Sequence, residues 1–104
     1  MKNELKQQVK EIIINTNIDN TISITIEELS ELIQALTKLQ RYRTQDITLT
    51  ATRSMVYKNI TEELSDVYLV LEQIKTLYLI ADTEIDEIIS EKISRTLNKL
   101  QPKY

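Results

Sequence analysis

Thr25-Ile26-Glu27-Glu28-Leu29-Ser30-Glu31 opens an apolar-periodic segment that runs to Tyr42, and its reading decides the fold. Leu29, Leu32, Ile33, Leu36 and Leu39 recur at the spacing of one face of an α-helix. Thr25 followed by Glu28 is the pattern of a capping box, in which a hydroxyl and a carboxylate each satisfy a free backbone N–H. A helix is therefore expected from about Thr25 to Tyr42. The phrase returns as Glu62-Glu63-Leu64-Ser65-Asp66 inside a second periodic segment. Glu-Glu-Leu-Ser-acid thus occurs twice, each time on an expected helix.

Three further helices complete the pattern. The first is expected from about Asn3 to Ile14, with Leu5, Val9, Ile12 and Ile13 in its stripe. Asn15 to Asn20 reads as a loop, because Asn, Asp and Thr cluster there. The third helix is expected from roughly Arg53 to Leu79, with Val56, Ile60, Leu64, Val67, Leu71, Ile74 and Tyr78; a start nearer Ile60 is the alternative. Arg43 to Asp46 breaks the pattern before it, and Asp82-Thr83 reads as a turn and cap after it. The fourth helix is expected from about Glu84 to Leu100. Its stripe is Ile85, Ile88, Ile89, Ile93, Leu97 and Leu100, with Pro102 just past its end.

These elements predict an all-α, four-helix bundle-like chain forming a single domain over residues 1–104. A domain of this size buries roughly two-thirds of its unfolded surface. The core is modest, and assembly into a homodimer or homotetramer through apolar faces is expected to supplement it.

Composition narrows the chemistry. The chain has no Gly, which excludes a P-loop and a dinucleotide-binding Gly fingerprint. It has no Cys and no His, so thiolate nucleophiles, imidazole bases and the usual zinc ligands are missing. Carboxylates, Lys, Arg, Tyr and hydroxyls remain. The net charge of −3, with both signs well mixed, argues against a dedicated nucleic-acid surface. No apolar run has the length of a membrane span and no signal-peptide core is evident, so a cytoplasmic protein without membrane attachment is expected.

A helix turns about 100° per residue. On that projection Glu28 falls inside the apolar arc of the second helix, near Ala35 and Leu39, and Glu31 falls at its edge. Glu63 falls between Val70 and Ile74 on the third helix, and Asp66 at the edge. Glu27 and Glu62 point to the polar sides. A carboxylate inside an apolar stripe loses solvation unless something compensates it. Two helices packed face to face would gather four carboxylates, a set suited to a hard divalent ion such as Mg²⁺, with Mn²⁺ as the alternative. The plainer reading leaves Glu28 as the capping partner of Thr25, and Glu63 as a cap partner or the mate of a Lys.

Glu27-Glu28-Leu29-Ser30-Glu31 and Glu63-Leu64-Ser65-Asp66 resemble the Glu-Glu-x-x-Glu and Glu-x-x-Asp phrases of the MazG-like all-α nucleoside triphosphate pyrophosphohydrolases, in particular compact phage and Firmicute versions. Glu91-Lys92-Ile93-Ser94-Arg95 resembles the basic Lys-x-x-Arg element late in such chains. The likeness covers the chain from about Thr25 to Leu100. The interval between the acidic phrases is long for the family, which suggests an extended loop or extra turn between Arg43 and Ser54. The chain lacks the His and Trp that some relatives place around the base.

The resemblance implies hydrolysis of a nucleoside or deoxynucleoside triphosphate to monophosphate and pyrophosphate. It implies that Glu28, Glu31, Glu63 and Asp66 are catalytic residues that hold Mg²⁺, with Glu27 or Glu62 behind them. Lys92, Arg95 and Lys38 would contact phosphate, although late-helix cations are also favoured by the helix dipole alone. Tyr57, Tyr68 and Tyr78 are candidates for stacking on a base, or for core and interface positions. Two rival readings remain: a non-catalytic helical interaction module, and a relative that binds nucleotide without turnover.

Overall fold

The computed structural model describes residues 1–45 and 51–101. Four helices follow in order: α1 (Asn3–Ile14), α2 (Ile18–Arg43), α3 (Arg53–Leu77) and α4 (Asp82–Leu100), with no strand among the described residues. The protein is all-α, and no described helix is long and apolar enough to cross a membrane.

The start of α2 corrects the sequence-based expectation. Asn17, in extended geometry, accepts the backbone N–H of Asn20 at 2.7 Å and caps a helix beginning at Ile18. Thr25 is therefore inside the helix, not at its end. Its hydroxyl donates to the Thr21 carbonyl at 2.7 Å, and Thr21 in turn donates to the Asn17 carbonyl at 3.0 Å. Glu28 is consequently no capping partner. The start of α4 also differs: Ala81 is the N-cap, and Glu84 reaches back to accept its N–H at 3.1 Å. Asp82 and Thr83 belong to the helix. The expected extension between Arg43 and Ser54 begins with a turn at Thr44-Gln45, and Thr52 caps α3 at its other end. Residues 46–50 and Pro102 lie outside the described residues.

In the absence of Gly, two helix ends use other residues in left-handed geometry: Gln45 at φ 56° and Leu79 at φ 53°. After α3, Leu79 donates to the Thr76 carbonyl and Ile80 to the Lys75 carbonyl. This is the paired hydrogen bonding of a Schellman turn, in which Gly is usually favoured.

Helix α3 is the hub, packing against α2 over much of its length and against α1. The buried apolar residues are small: Val9, Ala35, Val56, Val67 and Val70. The faces in contact match the expected stripes in part, since Val9 of α1 and Val56 and Val67 of α3 are buried as expected. On α2 the buried positions are Thr21, Thr25 and Ala35, while Leu29, Ile33 and Leu36 are exposed. On α3 Val70 and Gln73 are buried, while Leu64, Leu71 and Tyr78 are exposed. Small side chains let two helices approach closely, and that closeness brings their carboxylates together. Helix α4 buries no residue and stands largely apart from the other three.

An ion-pair network fixes where α4 departs. Lys6 of α1 donates to Asp82 at 2.9 Å, and Lys75 of α3 donates to both Asp82 and Glu72. The Lys75 ammonium, then that of Lys6, hold the Asp82 carboxyl down at about 2. Asp82, then Glu72, push Lys75 up.

Candidate metal centre

Glu28 and Glu31 lie one turn apart on α2, and Glu63 and Asp66 one turn apart on α3. Packing of the two helices brings all four into one group, with one carboxylate oxygen from each within 4.8 Å of every other. Glu28, Glu31 and Glu63 are half-buried and Asp66 is exposed. Glu27 and Glu62 are exposed, as their projection predicts. Glu62 has its own partner in Lys58, at 4.0 Å.

Two oxygens in this group are sealed from solvent without a hydrogen bond: Oε2 of Glu28 and Oε2 of Glu63. Desolvation pushes the Glu28 carboxyl above its ordinary range, and the negative charges of Glu31, Asp66 and Glu63 push it further. Glu63 is raised in the same way, first by desolvation and then by Glu31, Asp66 and Glu62; Lys38 partly opposes this. Lys38 is exposed, and it forms no ion pair among the described residues. Its field reaches the acids, but it does not neutralise them.

The donor set fits a hard divalent cation. It consists of oxygens alone and is strongly anionic, which suits Mg²⁺ or Mn²⁺ better than softer metals. The orphaned oxygens of Glu28 and Glu63 are what a cation would satisfy, since buried carboxylates are ordinarily paired or bound to metal.

The other predicted site residues are dispersed. Lys92 and Arg95 are exposed on α4, beside the apolar residues Ile89, Ile93 and Leu97. Neither is among the charges that chiefly act on Glu28 or Glu63. Tyr57, Tyr68 and Tyr78 are exposed on or just after α3.

Sequence reading missed two buried polar residues on the same interface, Thr21 and Gln73. Their spacing was the available signal. Thr21 precedes Glu28 by seven residues and Gln73 follows Asp66 by seven, which keeps each on its helix's acid-bearing face. They also show the helices to be antiparallel, because Thr21 and Gln73 line one cleft while Glu28 and Asp66 share one cluster. Comparison of the chain with protein-family models, with curated proteins and with solved structures finds no match in any of the three.

Proposed function

We propose that this protein is a Mg²⁺-dependent nucleoside triphosphate pyrophosphohydrolase of the MazG-like type. The observation that carries the reading is the convergence of Glu28, Glu31, Glu63 and Asp66, with oxygens of Glu28 and Glu63 buried and unpartnered. An interaction module has no need of inward carboxylates, and mutual repulsion would select against them.

Glu28, Glu31, Glu63 and Asp66 hold the cation between α2 and α3. A divalent ion there supplies positive charge beside the phosphates and acidifies water. Phosphoryl chemistry of this kind needs positioning and charge neutralisation more than a covalent nucleophile. Water adds across the bond between the α- and β-phosphates, giving a nucleoside monophosphate and pyrophosphate. A carboxylate of the group takes the proton of the attacking water, with Glu27 and Glu62 as outer alternatives. Lys38 is placed to attract a phosphate, because its charge already acts on Glu63.

Assembly into a homodimer or homotetramer is part of the same reading. Ile88, Ile89, Ile93 and Leu97 are all at least half exposed or close to it along α4, and Leu29, Ile33 and Leu36 are exposed on α2. A contiguous apolar face of that kind favours a protein partner. Lys92 and Arg95 would then act as phosphate contacts in the assembled protein.

Pyrophosphate release across a panel of nucleoside and deoxynucleoside triphosphates, with and without Mg²⁺, tests the proposal. Release is expected only with the ion, and Glu63→Gln should lower it by at least about 100-fold, more than loss of a group that merely orients a ligand. No release from any triphosphate would remove the enzymatic reading. Undiminished release by Glu63→Gln would remove the site.

A further inference from the structure

A second polar feature lies beside the α2–α3 interface, away from the carboxylates. A cleft of about 660 Å³ opens between α1, the first turns of α2 and Gln73 of α3. That volume is in the range of small-molecule pockets. Gln73 is only 8 % exposed, and among the described residues its side-chain amide has no hydrogen-bond partner. Its polar atoms are not sealed in the packing, unlike Oε2 of Glu28 and Glu63, and they open onto the cleft. A nearly buried amide with no partner in the chain, open only through a cleft, is available to a ligand that replaces water on its donor and acceptor.

The remaining lining says what such a ligand is. No Lys or Arg lines the cleft and the acid Glu11 does, so phosphate or carboxylate would find no counter-charge there and would be repelled. The Asn15 amide nitrogen already donates to the Glu11 carbonyl at 2.8 Å, and that of Asn20 to the Thr16 hydroxyl at 3.0 Å. Each of those two residues keeps its side-chain oxygen as an acceptor and one further N–H. Gln73 offers a donor and an acceptor side by side. Ile12 and Ile24 supply apolar contact for the face of a ring. An uncharged heterocycle with adjacent donor and acceptor groups meets all of these, and a glutamine amide pairs with such an edge through two hydrogen bonds.

We propose that this cleft binds the heterocycle of a nucleoside, with Gln73 as the residue that reads its edge. Gln73 and Thr21 each lie seven residues, about 10 Å of helix, from the acids on their own helices. A nucleotide whose phosphates sit at the carboxylates can extend its base into the cleft. That source rests on the pyrophosphohydrolase reading. A free nucleoside, bound without reaction, is the other source of the same chemistry and does not depend on that reading.

Two measurements on the full chain distinguish them: calorimetric binding of the nucleosides adenosine, guanosine, cytidine, uridine and thymidine, and pyrophosphate release from the matching triphosphates. Each is made on the wild type, Gln73→Leu and Gln73→Glu, with thermal melting to establish that the variants fold. Gln73→Leu removes the unpaired amide and keeps an apolar volume; Gln73→Glu keeps the shape and inverts the donor. Nucleoside binding weakened about tenfold or more by either variant supports the proposal, as does a KM for the preferred base raised about tenfold with kcat little changed. A merely structural role would shift all bases equally. Nucleoside binding that depends on Gln73, with no pyrophosphate from any triphosphate, keeps the cleft and ends the pyrophosphohydrolase reading. If neither nucleoside binding nor base preference responds to either variant, the proposal is overturned, whether or not pyrophosphate is released.

Discussion

Two groups of four charged side chains are built on these helices in opposite ways. Lys6, Glu72, Lys75 and Asp82 place two cations against two anions where α1, α3 and α4 meet. Glu28, Glu31, Glu63 and Asp66 place four anions together where α2 and α3 meet. In the first group the partners lower the Asp82 carboxyl and raise Lys75, each toward its charged form. In the second, desolvation and neighbouring acids raise Glu28 and Glu63 toward their neutral forms. A balanced cluster is explained by folding alone. An unbalanced one, partly buried and maintained on two separate helices, points to something outside the chain that completes it.

The largest test of this contrast is Mg²⁺ itself. An ion that binds only the folded state stabilises it by about 2.7 kcal/mol at a concentration one hundred times its Kd. For a domain near this size that raises the melting temperature by roughly 10 °C. Mg²⁺ should therefore shift the melting of the wild type and leave Glu63→Gln nearly unmoved. An equal shift in both proteins would place the ion elsewhere. A second test compares charge removal from each cluster in the presence of chelator. Glu63→Gln relieves repulsion and should melt above the wild type, whereas Lys75→Gln strips Glu72 and Asp82 of their partner and should melt below it, by about 1 kcal/mol or less. If both variants melted lower, the acid group would be balanced by something in the chain itself.

The acids were legible in the sequence and much of their surroundings was not. Glu28 and Glu63 stood out because a carboxylate inside an apolar arc needs a reason, and helical geometry alone placed Glu31 and Asp66 beside them. The beginning of α2 was hidden. Ile22, Ile24 and Ile26 alternate with Ser23 and Thr25, a period-two pattern of mostly β-branched residues that favours strands more than helices. Tertiary packing of Thr21 and Thr25 against α3, together with the Asn17 cap, outweighs that preference. The packed faces were legible only in part: Val9, Val56 and Val67 of the expected stripes are buried, while many large Leu and Ile side chains of the same stripes stay exposed and Thr21, Thr25 and Gln73 are buried instead. A single-chain pattern does not distinguish an apolar face turned to the core from one left exposed. The isolation of α4 follows from the same ambiguity, since its regular Ile and Leu stripe reads like a core helix.

Acid titration separates the two clusters by sign. Glu28 and Glu63 have folded values above the ordinary 4.5. Between that value and their raised ones, the folded chain retains protons that the unfolded chain has released. Without divalent ions, stability should therefore increase as the pH falls through those raised values toward 4.5. Asp82 has the opposite sense. Its folded value of about 2 lies below the ordinary 3.8, so its contribution is complete above about pH 4 and is lost as the pH falls toward 2. The melting temperature in chelator should pass through a maximum near pH 4–5. Mg²⁺ should remove the upper arm alone, because the ion competes with protons for the four acids and not for Asp82. A monotonic profile in chelator would deny the contrast.

The smallest effect concerns the turn that delivers Asp82 to its lysines. Leu79 takes φ 53° and is 89 % exposed, so the position gains little burial to offset the left-handed backbone. A non-Gly residue in that region costs roughly 1–2 kcal/mol, part of which Gly returns through greater freedom in the unfolded chain. Leu79→Gly should consequently raise stability by up to about 1 kcal/mol. The gain should persist when Asp82→Asn removes the charge that the turn positions, because the backbone strain belongs to the turn alone. If the gain vanished in the double variant, the turn and the ion pairs would form one coupled unit, and the balanced cluster would also govern how α4 leaves the body of the protein.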